Sequence, residues 1–171
     1  MKYSPYNRGF SLIELILYVA IFAVISIAII HSLVLSVRMY SVAQSNRRLQ
    51  NDGELVMERI IREVREADSV TIGSSTFGSH PGTLALTSSD SGGAIRTVLF
   101  SVSSGSVMLT ENSGTPENLS SGDVVVSGLV FRRILGTDGQ EAIKVELTLD
   151  TTRGFSAGSS FYSTVVVRGS Y

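Results

Sequence analysis

Gly9-Phe10-Ser11-Leu12-Ile13-Glu14 opens an apolar run that continues to Ile30 with no other charged side chain inside it. From Phe10 to Ile30 the run covers about 21 residues, the length a helix needs to cross a hydrocarbon core of about 30 Å. A carboxylate within such a segment costs a few kcal/mol at mid-membrane unless it has a partner, so Glu14 requires a physical explanation. Ahead of the run lies the basic nonapeptide Met1 to Gly9, with Lys2 and Arg8, and it ends in a glycine at which a processing enzyme could cut.

Two simpler readings of the N-terminus compete. A cleaved secretory signal has a shorter apolar core followed by a small-residue cleavage site, and no such site precedes the polar stretch that begins at Arg38. A plain signal anchor fits the length but leaves Glu14 unexplained. Flanking charge does not decide orientation, because Lys2 and Arg8 precede the span while Arg38, Arg47 and Arg48 follow it.

Gly9, Phe10, Ser11, Leu12, Ile13 and Glu14, followed by the unbroken apolar helix, resemble the N-terminus of the type IV prepilins and pseudopilins. The resemblance implies cleavage between Gly9 and Phe10 by a prepilin peptidase, N-methylation of the new terminus at Phe10, and a role for Glu14 in filament assembly. It also implies a cytoplasmic N-terminus, a single pass through the cytoplasmic (inner) membrane, an extracytoplasmic head, and partners among other pilin or pseudopilin subunits, an inner-membrane assembly platform and membrane lipid. Looser similarity of Glu54–Asp68 and Val126–Phe131 to minor pseudopilins of the secretion J component and to W-type minor pilins points to a minor or tip subunit. Two departures from the family stand out: this chain has no Cys for a C-terminal disulfide loop, and no Pro partway along the apolar helix.

Read on its own chemistry, Glu14 has three options. Cleavage would leave a cationic amine on Phe10, one turn away, which could neutralise the carboxylate within one subunit or from a neighbour. The first helical turn also favours negative charge, and a third option is a side chain that snorkels to the headgroups. The intersubunit pair is the version the family implies.

Helical signals persist beyond the span. There is no Pro between Pro5 and Pro81, and Gly53 is the single glycine in the helix-compatible stretch. Val42, Leu49, Gly53, Val56, Ile60, Val64 and Ala67 recur at three-four spacing on one face. Glu58 with Arg62, Arg59 with Glu63, and Arg62 with Glu66 are i,i+4 pairs worth a few tenths of a kcal/mol each, which predicts a solvated opposite face. A helix from Phe10 to about Asp68 would extend roughly 88 Å at 1.5 Å per residue. His31 and Ser32 mark the end of the aliphatic run, and Tyr18 and Tyr40 read as packing or membrane-interface residues.

After Asp68 the chain turns to Gly- and Ser-rich segments between short β-like runs: Ser69–Ile72, Thr83–Thr87, Ile95–Ser103, Ser106–Thr110, Val124–Leu135, Ala142–Asp150 and Phe161–Arg168. Ile143, Val145, Leu147 and Leu149 alternate with polar residues, as in a strand with one buried face. Gly136-Thr137-Asp138-Gly139 reads as a hairpin turn, and Gly128 as a bulge or bend. The expected fold is α+β and pilin-like, with a long N-terminal helix, membrane-spanning in its first half, packed on an antiparallel β-sheet. The expected organisation is a cleaved leader over 1–9, a transmembrane and filament-core helix over 10–37, its amphipathic continuation over 38–68 and the head over 69–171.

Composition narrows the function. The chain has 171 residues, a formal net charge of -1 and no Cys, so there is no disulfide framework or thiolate metal site. Loss of Lys2 and Arg8 with the leader would bring the balance to about -3. His31 and His80 lack metal-ligand spacing, no G-x-S-x-G or phosphate-loop pattern occurs, and no catalytic residue, cofactor or metal is expected; Asp138 and Glu141 at the hairpin read as a turn in preference to a calcium site. From Ser69 onward six Lys or Arg face eight Asp or Glu, and Arg132-Arg133 is the one local basic spot. Direct nucleic-acid binding, which needs several clustered cations, is not expected. The reading is thus a structural, non-enzymatic subunit of a type IV pilus or type II secretion pseudopilus. The alternative is a signal-anchored binding or sensor domain that does not polymerise.

Overall fold

The computed structural model describes residues 11–89, 92–137, 139–152 and 158–170. The chain divides into two compact units, Met1–Ser41 and Val42–Tyr171. One helix, α1 (Leu12–Glu66, 55 residues), contributes to both. The absence of proline and the three-four apolar spacing explain its length, and it stops two residues before the expected end at Asp68.

In the first unit α1 is apolar on all sides as far as Ile30 and its large apolar side chains are exposed: Leu12, Leu15, Phe22, Ile27 and Leu33 are each more than half exposed. Its mean hydropathy reaches 2.8, and among the described residues it is the one helix long and apolar enough to cross a membrane. A helix that is hydrophobic all round is stable only against lipid or other protein.

The second unit joins the rest of α1 to two antiparallel sheets. One has five strands in the order β1 (Ser69–Val70), β2 (Leu84–Ser89), β3 (Ile95–Ser103), β4 (Ser106–Glu111) and β5 (Glu117–Asn118). The other has three in the order β6 (Val124–Leu135), β7 (Glu141–Thr151) and β8 (Gly158–Val166). The single sheet expected from the sequence is therefore two, linked by a parallel bridge between Phe77 and Phe131. The break falls between β5 and β6, where Ser120, Ser121 and Asp123 turn the chain. There Asp52 of α1 accepts hydrogen bonds from Ser121, and Arg48 donates to Asp123 at 2.8 Å. The two-residue β5 escaped the pattern because so short a strand has no periodicity.

Elsewhere the residue pattern and the architecture agree. β3 and β6 have the expected bounds, and the β6–β7 hairpin closes through Gly136, whose N–H donates to the Gln140 carbonyl at 2.8 Å. Asp138 lies outside the described residues. The β6–β7 register shifts between Val126 and Gly128, the bulge expected at that glycine. On β7, Ile143, Val145, Leu147 and Leu149 are fully buried while their neighbours are half-buried. They pack in one core with Leu49, Val56, Ile60 and Val64 of α1 and with Leu84, Phe100, Leu109 and Phe131 from both sheets.

Gly53 allows the closest approach of α1 to β8. A Cβ there would lie 2.1 Å from the Phe161 ring, so only glycine lets the half-buried ring sit against the helix. Gly53→Ala is expected to lower stability by about 1 kcal/mol by displacing Phe161. In a Phe161→Ala background the same change should raise it by up to about 1 kcal/mol, the ordinary helix preference of Ala over Gly. Thermal unfolding of the two single variants and the double variant checks the reversal of sign.

The i,i+4 charges do not all form a solvated face. Glu63 lies on the buried stripe and is only 4% exposed. Arg96 of β3 grips it with both terminal nitrogens, at 2.8 and 3.2 Å, and Arg59 reaches it at 3.0 Å. The same arginines bind Glu111 of β4 at 2.6 and 2.8 Å. Arg59–Glu63 is thus part of a partly buried ion cluster tying α1 to β3 and β4, while Glu58, Arg62 and Glu66 are exposed as expected.

Candidate functional site

Glu14 sits in the first turn of α1, where Ser11 starts the helix by accepting the backbone N–H groups of Glu14 at 3.0 Å and Leu15 at 3.2 Å. Its Oε1 accepts a hydrogen bond from the Tyr18 hydroxyl at 3.3 Å. Helical geometry places residues four apart on one face, so the carboxylate and phenol meet without help from the rest of the chain. Leu12, Ile13, Leu15, Ile16 and Leu17 around them are exposed and apolar. This carboxylate–phenol pair is therefore set among exposed hydrocarbon side chains.

Tyr18 was legible only as an aromatic packing or interface residue. The Glu-x-x-x-Tyr spacing is the sequence signal for the pair, since it puts a donor one turn from Glu14. Gly9 and Phe10, the other two residues singled out for processing, lie outside the described residues. His31 is an exposed helical position.

The remaining candidates are occupied by structural work. His80 Nδ1 accepts the Leu129 N–H at 2.9 Å, fastening the 76–82 loop to β6. Arg132 binds Glu146 at 3.1 Å and Arg133 binds Glu141, so the basic pair of β6 is matched by carboxylates of β7. Among the described residues no group of three or more His, Asp or Glu is arranged to hold a metal ion.

Residues 4–30 match the family described as the prokaryotic N-terminal methylation motif. This match supports a type IV prepilin-like N-terminus. The match takes in Gly9, Phe10, Glu14 and the apolar part of α1 through Ile30. No curated protein and no solved structure matches the chain. In a prepilin-like chain this motif implies processing by a prepilin peptidase and assembly with other pilins, and with the exposed apolar helix it indicates membrane anchoring.

Proposed function

We propose that this protein is a structural subunit, minor or at the tip, of a type IV pilus or type II secretion pseudopilus. The observation that carries the reading is the methylation motif on a helix whose apolar surface is wholly exposed and holds one carboxylate. In this reading the Met1–Gly9 leader faces the cytoplasm, the helix is stored as a single pass in the inner membrane, and the head lies outside it. Prepilin peptidase cuts between Gly9 and Phe10 and the new Phe10 amine is methylated. Glu14 then pairs with the terminal amine of a neighbouring subunit as the helix leaves lipid for the filament core. Exchanging lipid for protein contacts costs little hydrophobic free energy, because both surroundings are apolar.

A non-polymerising signal anchor would keep its N-terminus whatever stands at residue 9. The processing reading predicts that Gly9→Leu blocks cleavage, leaving the precursor intact when it is co-expressed with a prepilin peptidase, while the wild-type chain shortens by the leader. Equal mobility of the two chains on a gel, both intact or both shortened, would contradict it.

A further inference from the structure

Among the described residues, three of the four sheet edges are protected. β1 and β5 are two residues each. The outer side of β6 is occupied: Phe131 and Leu129 carbonyls accept the N–H groups of Gly78 and Gly82 at 2.8 Å, the Leu129 N–H goes to His80, and the Val126 N–H goes to the Gly105 carbonyl at 2.8 Å. β8 is different. Its nine residues, Gly158–Val166, pair with β7 without a register shift, and among the described residues no strand lies on its other side. It contains no Pro and no charged residue, the devices by which natural sheets keep such edges from recruiting another chain.

The surface beside this edge is shaped and charged. Glu54, Met57, Glu58 and Ile61 of α1 form, with Phe161 and its neighbours, a groove of about 560 Å³ along Ser160–Ser163. Further along, Arg65 and Arg168 flank Thr164–Val166. Glu54, Glu58 and Arg65 take part in none of the ion pairs among the described residues. On the side facing α1 the edge therefore has carboxylates beside its first half and guanidinium groups beside its second, with Asp68 near Arg168, while Lys144 of β7 lies over the Tyr162 ring at 6.0 Å.

We propose that β8 is a docking edge for an extended segment of a different chain, which adds antiparallel as a fourth strand, acidic where it passes Arg65 and Arg168 and basic where it passes Glu54 and Glu58. Main-chain hydrogen bonds supply the affinity and the flanking charges the register, as in other strand-addition complexes. Antiparallel addition continues the pattern of the sheet and is the more stable arrangement. The choice of a different chain, and not a second copy, rests on the proposed function: all subunits of a polar filament run the same way, so two β8 strands cannot meet antiparallel.

The test uses the full-length protein in nanodiscs and the capped peptide Glu-Glu-Thr-Val-Thr-Val-Thr-Val-Lys-Lys. Binding should slow amide exchange within Gly158–Val166, and N-methylation of alternate peptide nitrogens should abolish it. The peptide with its Glu and Lys ends exchanged should bind more weakly, and Glu54→Lys with Glu58→Lys should weaken the original by about threefold to tenfold. No binding, binding without protection of β8, or equal binding of the N-methylated peptide would overturn the proposal. So would a disulfide-linked dimer of Tyr162→Cys in this otherwise cysteine-free chain, which would assign the edge to a second copy. These readouts need no filament, so their failure is distinct from failure of the pilin reading.

Discussion

Glu14→Ala is expected to leave removal of the leader intact while reducing the subunit's share of sheared filaments about tenfold or more. A factor of ten corresponds to about 1.4 kcal/mol, a modest demand on an ion pair formed away from water. In the single chain the carboxylate has the Tyr18 hydroxyl at 3.3 Å, a neutral donor. A neighbour's cationic amine is the stronger partner, since charge-assisted hydrogen bonds are about twice as strong as neutral ones. On the proposed reading, removing the carboxylate removes that difference and with it the drive to join the filament. Tyr18→Phe, which keeps the charge, should have a smaller effect. Recovery of the Glu14→Ala subunit from filaments at the wild-type level would rule out the assigned role.

Arg96→Ala should destabilise the head by about 3 kcal/mol, because it strips most of the compensation from a carboxylate that is only 4% exposed. Arg59 would remain at 3.0 Å from Glu63, but it is shared with Glu111. Replacing Glu63 and its partly buried partner together, Glu63→Leu with Arg96→Met, should recover most of the loss, since an apolar pair of similar volume is often as stable as an ion pair taken out of water. Denaturant unfolding of the three variants separates the cases.

The same cluster gives a pH dependence. Hydrogen bonding from Arg96, then the charges of Arg96 and Arg59, hold the Glu111 carboxyl below its ordinary value of 4.5. A carboxyl with a depressed folded-state value stabilises fully above the ordinary value and loses that contribution as pH falls through the folded one. Glu111→Gln should therefore flatten the acid limb of the melting-temperature profile below about pH 4.5 and leave its slope near neutrality unchanged.

Regular patterns were the readable part of this chain. Proline-free three-four spacing announced α1, strict alternation announced β7, and Gly128 announced the bulge in β6. What stayed hidden depended on distant residues. Glu63 reads as half of an exposed i,i+4 pair until Arg96, 33 positions away, is brought beside it. The division into two sheets turns on contacts of Arg48 and Asp52 with the loop at Ser121–Asp123, which no local pattern encodes. At the candidate site the carboxylate was evident from its cost in an apolar run, whereas its phenol donor was obscured because tyrosine is also an ordinary membrane-interface residue.

The most direct test of the pilin reading is mass spectrometry of this protein recovered from sheared surface filaments, or from pseudopili raised by overexpression of the assembly system. The expected species begins at Phe10 and carries one methyl group on its terminal nitrogen. A chain that remains in the membrane fraction with Met1 or the whole leader attached, or one cut at any bond other than Gly9–Phe10, would contradict the account.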